Sequence, residues 1–152
     1  MILPLGDEPN PRGIPIVTCA LIAINCAVYA FISLPLGVIQ PDLSDPVLAE
    51  YVGVLATRFP DQLAISEFLQ RVTAYDLFVF THGFRPAAPD PVDLFTSMFL
   101  HGGFMHLAGN MLFLWIYGDN VEHRLGRGAF LLAYLVTGVA ATLFHSLFAA
   151  AS

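Results

Sequence analysis

The chain alternates between long apolar stretches and shorter polar ones. No formal charge occurs within three stretches of 29, 25 and 25 residues. A helix that crosses a bilayer needs about 20 predominantly apolar residues. The pattern therefore predicts three membrane-spanning helices. They cover residues 14–34, 94–117 and 129–150, with a tail at 1–13 and a short polar connector at 118–128.

Residues 35–93 carry a different pattern and predict a long first loop. They hold seven of the eleven prolines and eight of the twelve acidic residues. Asp45 followed by Pro46 is typical of a helix N-cap and first helical position. Apolar residues at helical spacing then predict two short amphipathic helices. The first has Leu48, Tyr51, Val52 and Leu55 on one face; the second follows Pro60 and has Ile65, Phe68, Leu69 and Val72.

Composition favours a membrane protein and argues against a nucleic-acid partner. The chain is 57% hydrophobic and 12% charged, against about 25% charged in soluble domains. A net charge of −6 argues against a nucleic-acid partner, which needs a basic patch. All six cations are arginines, and Arg124 and Arg127 lie in the connector. The positive-inside rule then predicts a cytoplasmic connector and N-terminus.

Three polar residues interrupt the second predicted span: His101, His106 and Asn110. His106 and Asn110 are four residues apart and share one helix face. An imidazole N–H and a carboxamide NH₂ can both donate to one anionic oxygen, as in an oxyanion hole. The alternative is that they bind neighbouring helices and only stabilise packing. Spacing alone leaves both interpretations open.

A metal or haem site is not predicted. On a continuous helix His101 and His106 diverge by about 140°, and neither cysteine nor carboxylate lies at ligand spacing. His145 in the third span could face either histidine. A histidine-ligated electron carrier is therefore kept only as a further hypothesis, behind the two given below, and no cofactor is expected.

Two sets of residues recur at a spacing of four. Gly138, Thr142 and Ser146 predict a helix-packing face on the third span. Gly118, Glu122 and Gly126 lie on one face if the second helix continues through the connector. Glu122 is then expected either to pair with Arg124 or with a backbone donor, or to lie at a solvated helix end, and spacing does not choose between them.

The stretch 94–126 closely resembles the second transmembrane region of the rhomboid family of intramembrane serine proteases. The matching motifs are H-x4-H-x3-N (His101, His106, Asn110) and G-x3-E-x3-G (Gly118, Glu122, Gly126). The first span and the long first loop also look like those of the family. The Trp-Arg pair of some members is absent, and Val92-Asp93 stands in its place.

The resemblance implies an all-α bundle of at least six helices, of which this chain holds three. It implies acyl-enzyme proteolysis of transmembrane substrates without a cofactor, in a bacterial plasma (inner) membrane. Carried over, the motif assigns His106 and Asn110 to oxyanion stabilisation and His101 to orienting the helix entry.

The family's G-x-S-G nucleophile motif does not occur in the 152 residues. Ser152 lacks the flanking glycines, and His145 lies on the wrong span to be the general base. We therefore expect the N-terminal half of a rhomboid protease that is inactive alone. The alternative is a non-catalytic rhomboid-like protein that binds client helices.

Overall fold

The computed structural model describes residues 13–58 and 67–149. Within these ranges the chain is helical and contains no strand, which confirms the predicted all-α class. The helices are α1 (Ile16–Leu36), α2 (Pro46–Arg58), α3 (Ala74–His82), α4 (Pro91–Thr96), α5 (Phe104–Leu125) and α6 (Arg127–Ala149).

Among the described residues, two helices, α1 and α6, are long and apolar enough to cross a membrane. The helices α4 and α5 pass the same test only when they are counted together as one bent span. The prediction of an integral membrane protein is confirmed. Of the three predicted spans, two are found as continuous helices, and the third depends on the bent pair of α4 and α5. The expectation of one continuous helix over 94–117 is wrong: a 3₁₀ turn at Ser97–Phe99 follows α4, and the chain bends by 90° before α5. Adjacent Gly102 and Gly103 at the break favour this interruption, since glycine costs about 1 kcal/mol in a helix interior.

The polar stretch 118–128 is not a loop, because α5 continues to Leu125 and α6 begins at Arg127. Gly126 alone separates them, with φ of +80°. Glycine adopts this left-handed region without steric cost. The Gly126 N–H donates to the Glu122 carbonyl oxygen at 2.8 Å, which closes the last turn of α5.

The first loop is folded around a small apolar cluster. Its buried residues are Leu48 from α2, Leu77 from α3 and Val72 between them; we call this the first-loop core. The predicted helix start at Pro46 is confirmed, and the Asp45 side chain accepts from the Val47 N–H at 2.8 Å.

The second amphipathic helix is only partly found. Residues 67–69 are helical, Val72 is buried beyond their end, and Ile65 lies outside the described residues. Instead, α3 begins at Ala74 behind a capping box formed by Thr73 and Asp76. The T-x-x-D spacing of Thr73 and Asp76 is the sequence signal that could have predicted this helix.

Candidate functional site

A cleft of about 670 Å³ opens between α1, α5, α6 and the 3₁₀ turn. We call it the central cleft. His106 and Asn110 line it from α5, and Tyr134 and Thr137 line it from α6. The predicted pair therefore shares one face of one helix and points to one cavity.

Both predicted donors are free to bind a ligand. His106 and Asn110 are exposed, and across residues 13–58 and 67–149 neither side chain makes a hydrogen bond, although the His106 ring contacts His101. Polar groups on a membrane-spanning helix are costly unless they serve packing or function. The arrangement can present an imidazole and a carboxamide donor to one oxygen in the cleft.

His101 lies beside His106 because the helix is broken between them. Their ring centroids are 5.3 Å apart and the ring planes meet at 61°. His101 is only 3% exposed, and its Nδ1 lies 3.2 Å from the Phe99 carbonyl oxygen. The expectation that the two histidines diverge is wrong, since it assumed a continuous helix.

The two adjacent rings lack further ligands for a metal. No group of three or more His, Cys, Asp or Glu side chains is placed to hold an ion within the described part of the chain. His145 is exposed on α6 and is not among the residues that line the central cleft.

Tyr75 links the first loop to this site. Its hydroxyl donates to the His101 carbonyl oxygen at 2.9 Å. Sequence reasoning missed this residue, because the contact joins positions 26 apart through the fold and no spacing rule covers such a distance.

Glu122 joins α5 to the start of α1. It is 4% exposed. Its Oε1 accepts from the Val17 N–H at 3.0 Å, and its Oε2 accepts from the Thr18 N–H at 2.8 Å and the Thr18 hydroxyl at 2.9 Å. A carboxylate is favoured there because it satisfies free donors at the positive end of the helix.

The expected backbone partner of Glu122 is thus found, but the expected cation is not. Arg127, rather than Arg124, approaches the carboxylate, with its Nε 3.9 Å from Oε1. Arg127 starts α6, so the helix boundary after Gly126 brings it back toward Glu122.

Gly118 lets α1 and α5 approach closely. A Cβ at this position would lie 3.0 Å from Thr18 Cγ2 and 3.1 Å from Thr18 Oγ1. The two glycines of the G-x3-E-x3-G motif therefore differ in role: Gly118 serves close packing, and Gly126 serves the turn.

Residues 89–152 match the Rhomboid domain. The chain is similar to the rhomboid family over this segment, which is less than half of its length. This rhomboid segment begins near α4 and includes the histidines, Asn110 and the Glu122 motif, whereas α1 and most of the first loop precede it.

Two curated proteins are similar to part of this chain. The chain is 44% identical over 55 residues to "Rhomboid protease GluP" of Bacillus subtilis (strain 168), covering 36% of this chain and 11% of that protein. It is 44% identical over 48 residues to "Rhomboid-like protein 11, chloroplastic" of Arabidopsis thaliana, covering 32% of this chain and 17% of that protein. The matches thus span a small part of each relative. No solved structure matches the chain significantly.

The three small residues of α6 differ in whether they contact another element or only their own helix. Gly138 lies against Met98 of the 3₁₀ turn, where a Cβ would overlap the methionine Sδ and Cε. The Thr142 and Ser146 hydroxyls donate to carbonyls of their own helix, those of Gly138 and Leu143. Of this stripe, Gly138 packs against another element of the segment.

Asn25 adds a polar group to the α1 wall of the central cleft. It is fully buried, and its Nδ2 donates to the Leu21 carbonyl oxygen at 2.8 Å. Its Oδ1 has no hydrogen-bond partner within the described residues. The sequence marks Asn25 only as a polar residue inside the first span.

Proposed function

We propose that this chain supplies the oxyanion-binding face of a rhomboid-type intramembrane serine endopeptidase. The observation that carries the proposal is the pair His106 and Asn110, one helical turn apart on the central cleft, whose side chains have no hydrogen-bond partner among the described residues. The similarity to Rhomboid protease GluP of Bacillus subtilis supports the reaction class.

The proposed chemistry is acyl transfer. A serine Oγ attacks the scissile carbonyl carbon, and its proton passes to a histidine base, as in a Ser–His dyad. The carbonyl oxygen becomes an anion, which the His106 imidazole and the Asn110 carboxamide stabilise by donating hydrogen bonds. The histidine then gives this proton to the leaving nitrogen as the C–N bond breaks, which leaves the acyl-enzyme. Water attacks the ester, the same histidine takes its proton and returns it to the serine, and the acid is released. The proposal assigns neither the nucleophile nor the base to any of these 152 residues.

The proposed substrates are transmembrane proteins cut near the membrane face, and the lipid bilayer is the first partner. Arg124 and Arg127 flank the junction of α5 and α6, which the positive-inside rule assigns to the cytoplasm. The N-terminus is then cytoplasmic and the first loop lies outside a bacterial plasma membrane.

Two measurements test this proposal. The 152-residue chain, purified into liposomes with a transmembrane substrate, is expected to give neither cleavage nor labelling by a fluorophosphonate probe. The gene is then extended until it encodes a G-x-S-G motif and further apolar spans. In that protein His106→Ala and Asn110→Ala should each lower kcat by about 10²–10³-fold, the usual value of one oxyanion donor.

His145→Ala is the matched control, because this histidine lies outside the central cleft and should leave kcat unchanged. Inhibitor-sensitive cleavage by the 152-residue chain alone would overturn the proposal. So would full activity of both His106 and Asn110 variants.

A non-catalytic rhomboid-like protein that binds client helices is the second candidate. The lack of a G-x-S-G motif in the 152 residues favours it. A stop codon directly after Ser152 in the native gene, with no nucleophile motif further on, would select this candidate over the protease.

A further inference from the structure

We infer that Tyr75 is a positioning residue, through which the folded first loop fixes the backbone at His101 and so holds the His101 ring against His106. The inference rests on the proposed function only for its catalytic consequence. The contact itself is a matter of geometry.

The helix break creates the need for such a residue. Between the 3₁₀ turn and α5, residues 100–103 leave the helical hydrogen-bond ladder. Backbone carbonyls outside regular structure need other donors when they are shielded from water. The His101 carbonyl obtains one from the Tyr75 hydroxyl at 2.9 Å.

The His101 side chain transmits this anchoring to His106. It is 3% exposed, and its Nδ1 stays 3.2 Å from the Phe99 carbonyl oxygen. Tyr75 holds the backbone and the Phe99 carbonyl holds the ring, and the His101 and His106 ring centroids then lie 5.3 Å apart in an edge-type arrangement. His106 is exposed to the cleft, so this contact limits the directions in which its imidazole can point.

Three contacts made by residues beside Tyr75 hold α3, the helix that carries it. Thr73 and Asp76 cap the helix that carries it, with the Thr73 N–H donating to Asp76 Oδ2 at 2.7 Å. The Ala74 N–H donates to the Ile39 carbonyl oxygen beyond the end of α1 at 2.8 Å. Leu77, two residues on, is buried in the first-loop core. A side chain carried by a helix that is fixed in this way can set the position of a group on another element.

The test replaces the hydroxyl alone. Tyr75→Phe keeps the ring and removes the donor, and Tyr51→Phe is the matched control. Tyr51 lies beside the first-loop core, and its hydroxyl makes no hydrogen bond among the described residues. With histidines isotope-labelled in nanodiscs, the wild-type chain and Tyr51→Phe should show a ring-to-ring cross-relaxation signal between His101 and His106. Tyr75→Phe should lose it.

A wild-type ring-to-ring signal retained in Tyr75→Phe would overturn the inference. If Tyr75→Phe fails to fold, a solid-state distance between labelled tyrosine Cζ and the His101 carbonyl carbon in the wild-type chain replaces it. A pair too distant for a hydrogen bond overturns the inference, and a hydrogen-bonded pair supports it.

The catalytic consequence is measured separately, in the extended protein with its nucleophile. Misplacement by about 1 Å can cost up to about 10²-fold in rate, so Tyr75→Phe should lower kcat by about 10–100-fold with KM unchanged. If His106→Ala leaves kcat intact while Tyr75→Phe moves the rings, the proposed function fails and the positioning role stands. If His106→Ala lowers kcat and Tyr75→Phe changes neither the rings nor kcat, the positioning role fails alone.

Discussion

Glu122 joins α5 to α1, and replacing it tests how much this contact stabilises the bundle. Glu122→Ala removes the acceptor for three donors: the Val17 N–H, the Thr18 N–H and the Thr18 hydroxyl. Each buried donor left without a partner costs about 1–3 kcal/mol. Water can reach part of this helix end, so we expect a loss of about 3–5 kcal/mol in the free energy of unfolding, as for other broken buried charge networks.

Glu122→Gln separates charge from shape. The amide oxygen can still accept at one of the two positions, but its NH₂ group faces a donor and the negative charge at the start of α1 is lost. We expect about 1–3 kcal/mol of destabilisation, between alanine and the wild type.

The assay is equilibrium unfolding by sodium dodecyl sulfate in mixed micelles, followed by the fluorescence of the single tryptophan, Trp115 in α5. Glu50→Ala is the matched control, because Glu50 forms an exposed ion pair with Arg85 at 2.9 Å. Such surface pairs contribute about 0–1 kcal/mol. Unfolding of Glu122→Ala at the same detergent fraction as Glu50→Ala would refute the reasoning.

Three further predictions use other contacts. Gly118→Ala should destabilise by about 1–3 kcal/mol through overpacking against Thr18, whereas Gly109→Ala, with open space around it, should not; detergent unfolding compares them. Burial, and secondarily the charge of Asp76, raises the pKa of Tyr51, so the folded loop favours the neutral phenol. The stability of the loop is therefore retained below the ordinary pKa of 10.0 and falls as the pH rises above it. Thermal melting at pH about 8 and about 11 should show a smaller fall in stability for Tyr51→Phe than for the wild type. Thr73→Ala should cost about 1 kcal/mol by removing a helix cap, seen as earlier thermal loss of loop helicity in circular dichroism.

Periodicity was enough to predict the elements whose signal is local. Charge-free windows of sufficient length identified the spans, because a bilayer core excludes unpaired charge. The i,i+4 spacing of His106 and Asn110 placed both on one face of α5, and the cleft position agrees with that geometry. The N-cap at Asp45 was equally local and was found where expected.

The break after Leu100 escaped prediction, because apolar composition favours a continuous span and two glycines only weaken a helix. On a continuous helix the side chains of His101 and His106 would point in different directions, whereas the break places the two rings beside each other.

By itself, the sequence determined the helical class, the location in a membrane and the candidate hydrogen-bond donors His106 and Asn110, since these depend on composition and on spacing along one helix. Only the tertiary structure decided the partners of these residues. Glu122 contacts Val17 and Thr18, which are 105 and 104 residues away in the sequence. Tyr75 contacts His101, which is 26 residues away. Contacts between distant segments depend on how helices pack and where they break, and no local pattern specifies that.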